Sequence, residues 1–240
     1  MRKFISLSLA STALMAAISI VTSAQAADLS PAAAPAPAPV AITQTGGFEI
    51  SGYGGYEFSP HSKVKVSDQP DFTAGWDTKP FATPPYWGVR ATYWFDGGQL
   101  ANWGVSLDYS HAKVYADDDT LAKSGWSHFE FTDGLNLLTL NALYKFDLGS
   151  KWVPYVGAGA GINIPHVEVT RASGTTFDYQ VGGATVQAQA GVRYQFTDNW
   201  SAFAEYKGNF SWVDVDIDNG GKLKTDILSN ALNLGISYKF

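Results

Sequence analysis

The chain has 240 residues, with 16 Lys and Arg against 22 Asp and Glu, a formal charge of −6, and no cysteine. An acidic balance without a basic stripe excludes a nucleic-acid partner, and the missing thiols exclude a disulfide framework or a thiolate zinc site. Trp, Tyr and Phe make up 14% of the residues and Gly is frequent. With no long apolar run beyond the N-terminal segment, this is a strand-and-turn composition.

Arg2 and Lys3 open a mostly apolar run over residues 4–21, which ends near Ala24-Gln25-Ala26. A positive start, a short apolar stretch and a small-x-small site mark residues 1–26 as a secretory signal peptide, with cleavage expected after Ala26. A retained membrane helix is disfavoured, because Ser and Ala dilute the run and no basic stop-transfer flank follows it. Residues 27–47, ADLSPAAAPAPAPVAITQTGG, cannot build a core and are expected to form a semi-extended periplasmic linker. Residues 48–240 then form one domain.

That domain alternates. In FEISGYGGYEF (48–58), Phe48, Ile50, Tyr56 and Phe58 oppose Glu49, Ser51 and Glu57, a period of two. The same pattern recurs in YWGVRATYWF (86–95), WGVSLDYS (103–110) and NLLTLNALYKF (136–146). VPYVGAGAGINI (153–164) is less decisive, because glycines replace its polar face. TVQAQAGVRYQF (185–196), WSAFAEYKGNFSW (200–212) and ILSNALNLGISYKF (227–240) complete the series. Eight strands of about ten residues fit a small transmembrane barrel.

The apolar faces carry aromatics near both ends, as membrane girdles require. The opposite faces carry Arg90, Asp108, Lys145, Arg193, Glu205 and Lys207 in mid-strand. A soluble barrel would turn such charges outward; with lipid outside they must face inward and pair with one another. Connections near 96–102, 147–152 and 197–199 are short, while 59–85, 113–134, 165–183 and 214–225 are long. The expectation is an all-β, eight-stranded antiparallel transmembrane barrel in the cell outer membrane, with short periplasmic turns and long extracellular loops.

Chemistry is then expected at the outer rim, where His61, His111, His128 and His166 all fall, together with Asp117, Asp118, Asp119, Glu130, Asp133 and Glu168. His and carboxylate side chains can hold a transition metal or act as acid and base. The loops mix aromatics, Pro and charges, as self-ordering functional loops do. Plainer readings stand beside these. The aspartates 117–119 can be a solvated surface or join the divalent-cation layer of lipopolysaccharide. Lys63, Lys65, Lys113, Arg171, Lys222 and Lys224 can bind phosphates or simply keep the loops soluble. His111 and His166 lead among the histidines because each directly follows a strand. A barrel of this size is filled by its own side chains and does not conduct.

Residues 48–240 resemble the outer-membrane eight-stranded barrels of the OmpA/OmpX-like family, and the closing Tyr238-Lys239-Phe240 resembles their aromatic C-terminal signature. A narrower similarity lies in PHSKV (60–64), FTAGW (72–76), PPYWGVRATYW (84–94), HAKVYADD (111–118), FTDGLNLLTLNALY (131–144), PHVEV (165–169) and AEYKG (204–208). These look like outer-membrane lipid A oxidase-type proteins. The resemblance implies conversion of the proximal glucosamine of lipid A to 2-aminogluconate with molecular oxygen; it carries over no catalytic residues. An oxygen-using enzyme needs a redox centre, and without Cys or a glycine fingerprint no flavin or nicotinamide is expected. A divalent transition metal is the remaining option. His111, His166 and Glu168 are the catalytic candidates, and His61, His111, His166, Asp117 and Asp133 the candidate metal ligands. Lipopolysaccharide is the expected partner of a monomeric, membrane-embedded chain. The alternative is a non-enzymatic barrel for envelope integrity or surface binding.

Overall fold

A computed structural model describes residues 46–240; the expected signal peptide and all but the end of the linker lie outside the described residues. In chain order the elements are β1 (Gly47–Phe58), β2 (Ser62–Val66), β3 (Gln69–Ala74), β4 (Trp76–Asp77), β5 (Trp87–Trp94), β6 (Trp103–His111) and β7 (Val114–Ala116). Helix α1 (Asp118–Ser124) follows, then β8 (His128–Phe131), β9 (Leu137–Lys145), β10 (Trp152–Asn163), β11 (His166–Arg171) and β12 (Gly174–Tyr179). The chain ends with β13 (Gly183–Gln195), β14 (Trp200–Ile217) and β15 (Gly221–Lys239).

Eight of these strands close a barrel in the order β1-β5-β6-β9-β10-β13-β14-β15, and β15 pairs back to β1 from Glu49↔Lys239 to Phe58↔Asn230. All pairings are antiparallel between chain neighbours of the barrel, as short hairpin turns dictate. No helix among the described residues is long and apolar enough to cross a membrane; strands make the crossing.

Side-chain polarity is inverted relative to a soluble barrel. Ile50, Val89, Leu107, Leu140, Leu232 and Leu234 stand exposed on the outer wall, while Glu49, Arg90, Asp108, Lys145, Glu205 and Lys207 are buried inside. All of these buried charges but Lys145, which lies over the Trp94 ring at 5.1 Å, are in ion pairs. Arg90 donates from Nε to Asp108 at 2.6 Å and from Nη2 to Glu205 at 2.8 Å, and Lys207 Nζ lies 2.8 Å from Asp108 Oδ2. The Tyr53 hydroxyl also donates to Asp108, and that of Tyr155 to Glu205. Nearer the short-turn end, Arg193 donates to Glu49 through both terminal nitrogens. Such buried charges are tolerable because the carboxylates of Glu49, Asp108 and Glu205 each accept from a cation.

The glycines of β10 have a steric cause. A Cβ at Gly159 would lie 2.2 Å from the Leu140 carbonyl oxygen and 2.3 Å from Asn141 Oδ1. The polar face is absent there because β9 leaves no room for it. Gly159→Val is therefore expected to block folding, read as loss of the heat-modifiable band on gels.

At the short-turn end the outer wall carries a Tyr-x-Phe step four times: Tyr93/Phe95, Tyr144/Phe146, Tyr194/Phe196 and Tyr238/Phe240. Trp103, Trp152 and Trp200 lie opposite Tyr144, Tyr194 and Tyr238 in register, with ring centroids 5.0, 4.7 and 4.9 Å apart. These edge-on and tilted pairs form the interfacial belt.

The long-loop end, which faces outward by the asymmetry of such barrels, is ordered rather than loose. Strands β2 and β3 extend the sheet from β15, and a separate five-stranded sheet runs β12-β11-β8-β7-β4. Trp76, Trp126, Phe129 and Phe131 are buried beneath it with Val114, Val167 and Val169. Each large side chain so buried contributes roughly 1.5–3 kcal/mol, enough together to hold a cap outside the membrane. The expected fourth loop, 214–225, is instead a continued hairpin, with β14 paired to β15 as far as Ile217↔Gly221. Inward Val213, Val215, Ile217 and Leu223 join the core, and Asp214–Lys224 and Asp216–Lys222 pair on the outside at 2.5 and 2.7 Å.

Candidate metal centre on the outer cap

One face of the five-stranded sheet is polar, and the alternation of two short segments makes it so. HFEFT (128–132) and HVEVT (166–170) each send His, Glu and Thr to one side and apolar residues to the other. Phe129, Phe131, Val167 and Val169 are at most 2% exposed on the core side. Strands β8 and β11 pair with Glu130 opposite Glu168 and His128 opposite Thr170, and directly opposed residues share a face. Tyr115 joins them opposite Glu130, and Tyr179 and Phe177 lie opposite His166 and Glu168.

The side chains converge. His166 Nδ1 lies 2.8 Å from Glu168 Oε1 and 3.6 Å from Asp133 Oδ2. His128 Nε2 lies 2.8 Å from Glu130 Oε1 and 3.5 Å from Glu168 Oε2. The Thr132 hydroxyl is placed between the two glutamates, 3.0 Å from Glu130 Oε1 and 2.8 Å from Glu168 Oε1. The His166 ring is fixed by Phe177 and Tyr179, at 4.5 and 4.4 Å between centroids. His166 is 3% exposed and Glu168 9%, whereas Asp133 stands in solvent.

Two imidazoles and three carboxylates suit Fe, Mn, Co or Zn. With ligand bonds of about 2.0–2.2 Å, two donors on one ion sit about 3–3.5 Å apart, close to the spacings above. His128/Glu130/Glu168 and Asp133/His166/Glu168 are each close enough to serve one ion.

Electrostatics favour the ionised carboxylate. Burial pushes Glu168 up, but hydrogen bonds from Thr132 and His166, the charge of His166 and a bond from His128 outweigh it and hold the carboxyl below the usual range. Burial raises the Tyr115 hydroxyl, with the charges of Glu130, Glu168 and Asp133 adding to it, and Tyr179 shifts the same way. Because the folded pKa of Glu168 is depressed, its stabilisation is complete above the unfolded carboxylate value of about 4.3 and is lost as pH falls below it. Amide exchange in β8 and β11 should therefore be slower in the wild type than in Glu168→Gln at pH 6, and the gap should close as the medium is acidified toward the depressed pKa. A gap that persists unchanged well below pH 4 would contradict this assignment.

The other residues expected at the site lie apart from it. His111, the last residue of β6, is buried with Nδ1 3.2 Å from Asn136 Oδ1, and its ring stacks on Trp87. Its Nε2 meets no hydrogen-bond partner among the described residues. Asn136 in turn donates to the Asp133 carbonyl, so His111 supports the loop carrying Asp133. Asp117 is the N-cap of α1 and accepts from Thr120 N at 2.8 Å, with Asp118 and Asp119 in the first turn. Those three acids cap a helix and complement its dipole. His61 is exposed between β1 and β2 and lies outside the cluster. Of the rim cations, Lys63, Lys222, Lys224 and Arg171 are paired with aspartates. Lys113 is buried and donates to the Ala82 carbonyl at 2.9 Å.

Residues 12–240 match the model of the outer membrane protein β-barrel domain family. The chain belongs to that family. This outer-membrane barrel is similar in fold to Neisserial surface protein A, at 20% identity over 80% of this chain and 97% of that one, with a TM-score of 0.47. It is similar also to OprG from Pseudomonas aeruginosa, at 16% identity, 82% and 97% coverage and a TM-score of 0.45. AlkL in lipid bilayers gives 15% identity, 87% and 98% coverage and a TM-score of 0.44. No curated protein matches the barrel in sequence.

Proposed function

We propose that this outer-membrane barrel is a surface oxidoreductase that converts the proximal glucosamine of lipid A to 2-aminogluconate with molecular oxygen. The observation that carries the reading is the convergence of His128, Glu130, Asp133, His166 and Glu168 on the outward cap. A cap on this barrel stands at the headgroup level, where lipid A sugars lie. The loop segments similar to lipid A oxidase-type proteins supply the substrate class.

The reaction balances as follows. The free hemiacetal carbon of the sugar loses two electrons and two protons to give a lactone, dioxygen takes them to give hydrogen peroxide, and water opens the lactone. The net change in the lipid is one added oxygen atom. A redox-active divalent ion held by the cluster would supply the electron path. The chain's own residues do the rest. The imidazoles and carboxylates would hold the ion, Thr132 supports Glu168 through its hydroxyl, and exposed Phe177 and Tyr179 offer an apolar platform for a sugar ring.

One observation favours the second reading, a non-enzymatic barrel: both histidines already bond to carboxylates, so the cluster also works as a cross-brace. Expression in a strain whose lipid A carries a free anomeric hydroxyl, followed by mass spectrometry of the lipid, separates the two. One added oxygen is the expected result. Loss of an acyl chain would make the barrel a deacylase, and an unchanged spectrum would favour the brace.

A further inference from the structure

The sequence His-x-Glu-x-Thr occurs twice, at 128–132 and 166–170. The two copies lie on neighbouring antiparallel strands, in a register that opposes their central glutamates. Antiparallel pairing of identical triplets about their midpoints creates a local two-fold axis between Glu130 and Glu168. The two histidines therefore stand at opposite ends of the array, each beside its own glutamate.

Glu168 breaks this symmetry in one respect. Its Oε1 lies 2.8 Å from His166 Nδ1, while its Oε2 turns the other way, 3.5 Å from His128 Nε2. A carboxylate whose two oxygens address two different donor sets has the form of a bridging ligand. Asp133 completes the His166 side and Glu130 the His128 side, so each set reaches three protein donors only by sharing Glu168. Thr132 holds the bridge in place through Oε1, as a supporting hydroxyl should.

From this geometry we infer that the cap binds a pair of divalent cations, one at Asp133/His166/Glu168 and one at His128/Glu130/Glu168, with Glu168 bridging. The inference rests on the metal-centre reading above and deepens it. Three carboxylates within so small a space repel one another; two dications reverse that with neutral imidazoles, whereas one leaves the site negative. Paired ions of this kind stand about 3.5–4 Å apart, a span one carboxylate covers.

The test uses the full barrel in detergent, stripped with a chelator and dialysed against Mn²⁺, with elemental analysis and electron paramagnetic resonance as readouts. Wild type should hold two Mn²⁺ per chain with an exchange-coupled spectrum. A His128→Ala, Glu130→Ala double variant should drop to one ion per chain and return the six-line signal of isolated Mn²⁺. Gel heat-modifiability establishes that each variant is folded, and His166→Ala provides the mirror case, losing the other ion. One ion per wild-type chain, or two uncoupled ions, would overturn the pair while leaving the metal centre standing. No bound Mn²⁺ at all would overturn both.

Discussion

Asp108→Ala will destabilise the barrel by roughly 3–5 kcal/mol, the cost of leaving buried charges without their counter-ion. Asp108 is wholly buried and accepts from Arg90, Tyr53 and Lys207 at once. Its removal leaves two cations facing one remaining carboxylate, Glu205, which Arg90 already holds at 2.8 Å. Both cations are almost fully buried, at 3% and 0% side-chain exposure. Tyr53→Phe should cost far less, about 1 kcal/mol, since one neutral donor is lost and Lys207 still serves Asp108. Urea unfolding in lipid vesicles, followed by tryptophan fluorescence, gives both values. An Asp108→Ala loss under about 1 kcal/mol would mean that the interior is hydrated rather than a paired plug.

Under the proposed function, Glu168→Ala is expected to remove lipid A oxidation and lower metal affinity by more than about 100-fold, beyond what loss of a mere supporting residue costs. The residue stands at the centre of the cluster, within 2.8 Å of His166 and 3.5 Å of His128, so no other substitution disturbs as many donors. Asp117→Ala is the contrasting case. It removes the cap of α1, costs about 1 kcal/mol of local stability and leaves turnover unchanged. Lipid A mass spectra after matched expression read the activity, and elemental analysis reads the metal. Equal losses from both substitutions would point to a general collapse of the cap instead of a site at Glu168.

The barrel was legible because its polarity is written with period two over long strands. Leu138, Leu140 and Ala142 face out while Thr139, Asn141 and Leu143 face in, and a one-residue slip would expose charge to lipid. The cap was harder to read, because its strands are only two to six residues long and several face a core instead of lipid. Helix α1 carries its own marks, Asp117 at the N-cap and Gly125 in the left-handed conformation at φ 71°, yet three successive acids also fit a solvated loop. The hairpin over 214–225 was signalled by Val213, Val215 and Ile217 alternating with aspartates, and by Asn219-Gly220, both at positive φ.

At the site, His166, Glu168 and Asp133 come together as the residue types and rim position anticipate, whereas His128 and Glu130 were placed at the same rim but not among the candidate ligands. The signal that groups them is the repeat HFEFT/HVEVT, which becomes informative once β8 and β11 are known to be neighbours. His61 and His111 illustrate the opposite case. Rim placement brought both forward, and a position directly after a strand brought His111 further, but pairing partners decide convergence, and theirs are Trp87 and Asn136 for His111 and solvent for His61.

X-ray absorption at the metal edge, on the full barrel purified from its membrane, tests most directly whether the cap face is a metal centre. The arrangement of His128, His166 and three carboxylates predicts a first shell of nitrogen and oxygen only, at about 2.0–2.2 Å, with imidazole scattering that a His128→Ala, His166→Ala double variant loses. Stoichiometric metal whose spectrum is unchanged in that variant, or a wild-type barrel without metal, would contradict it.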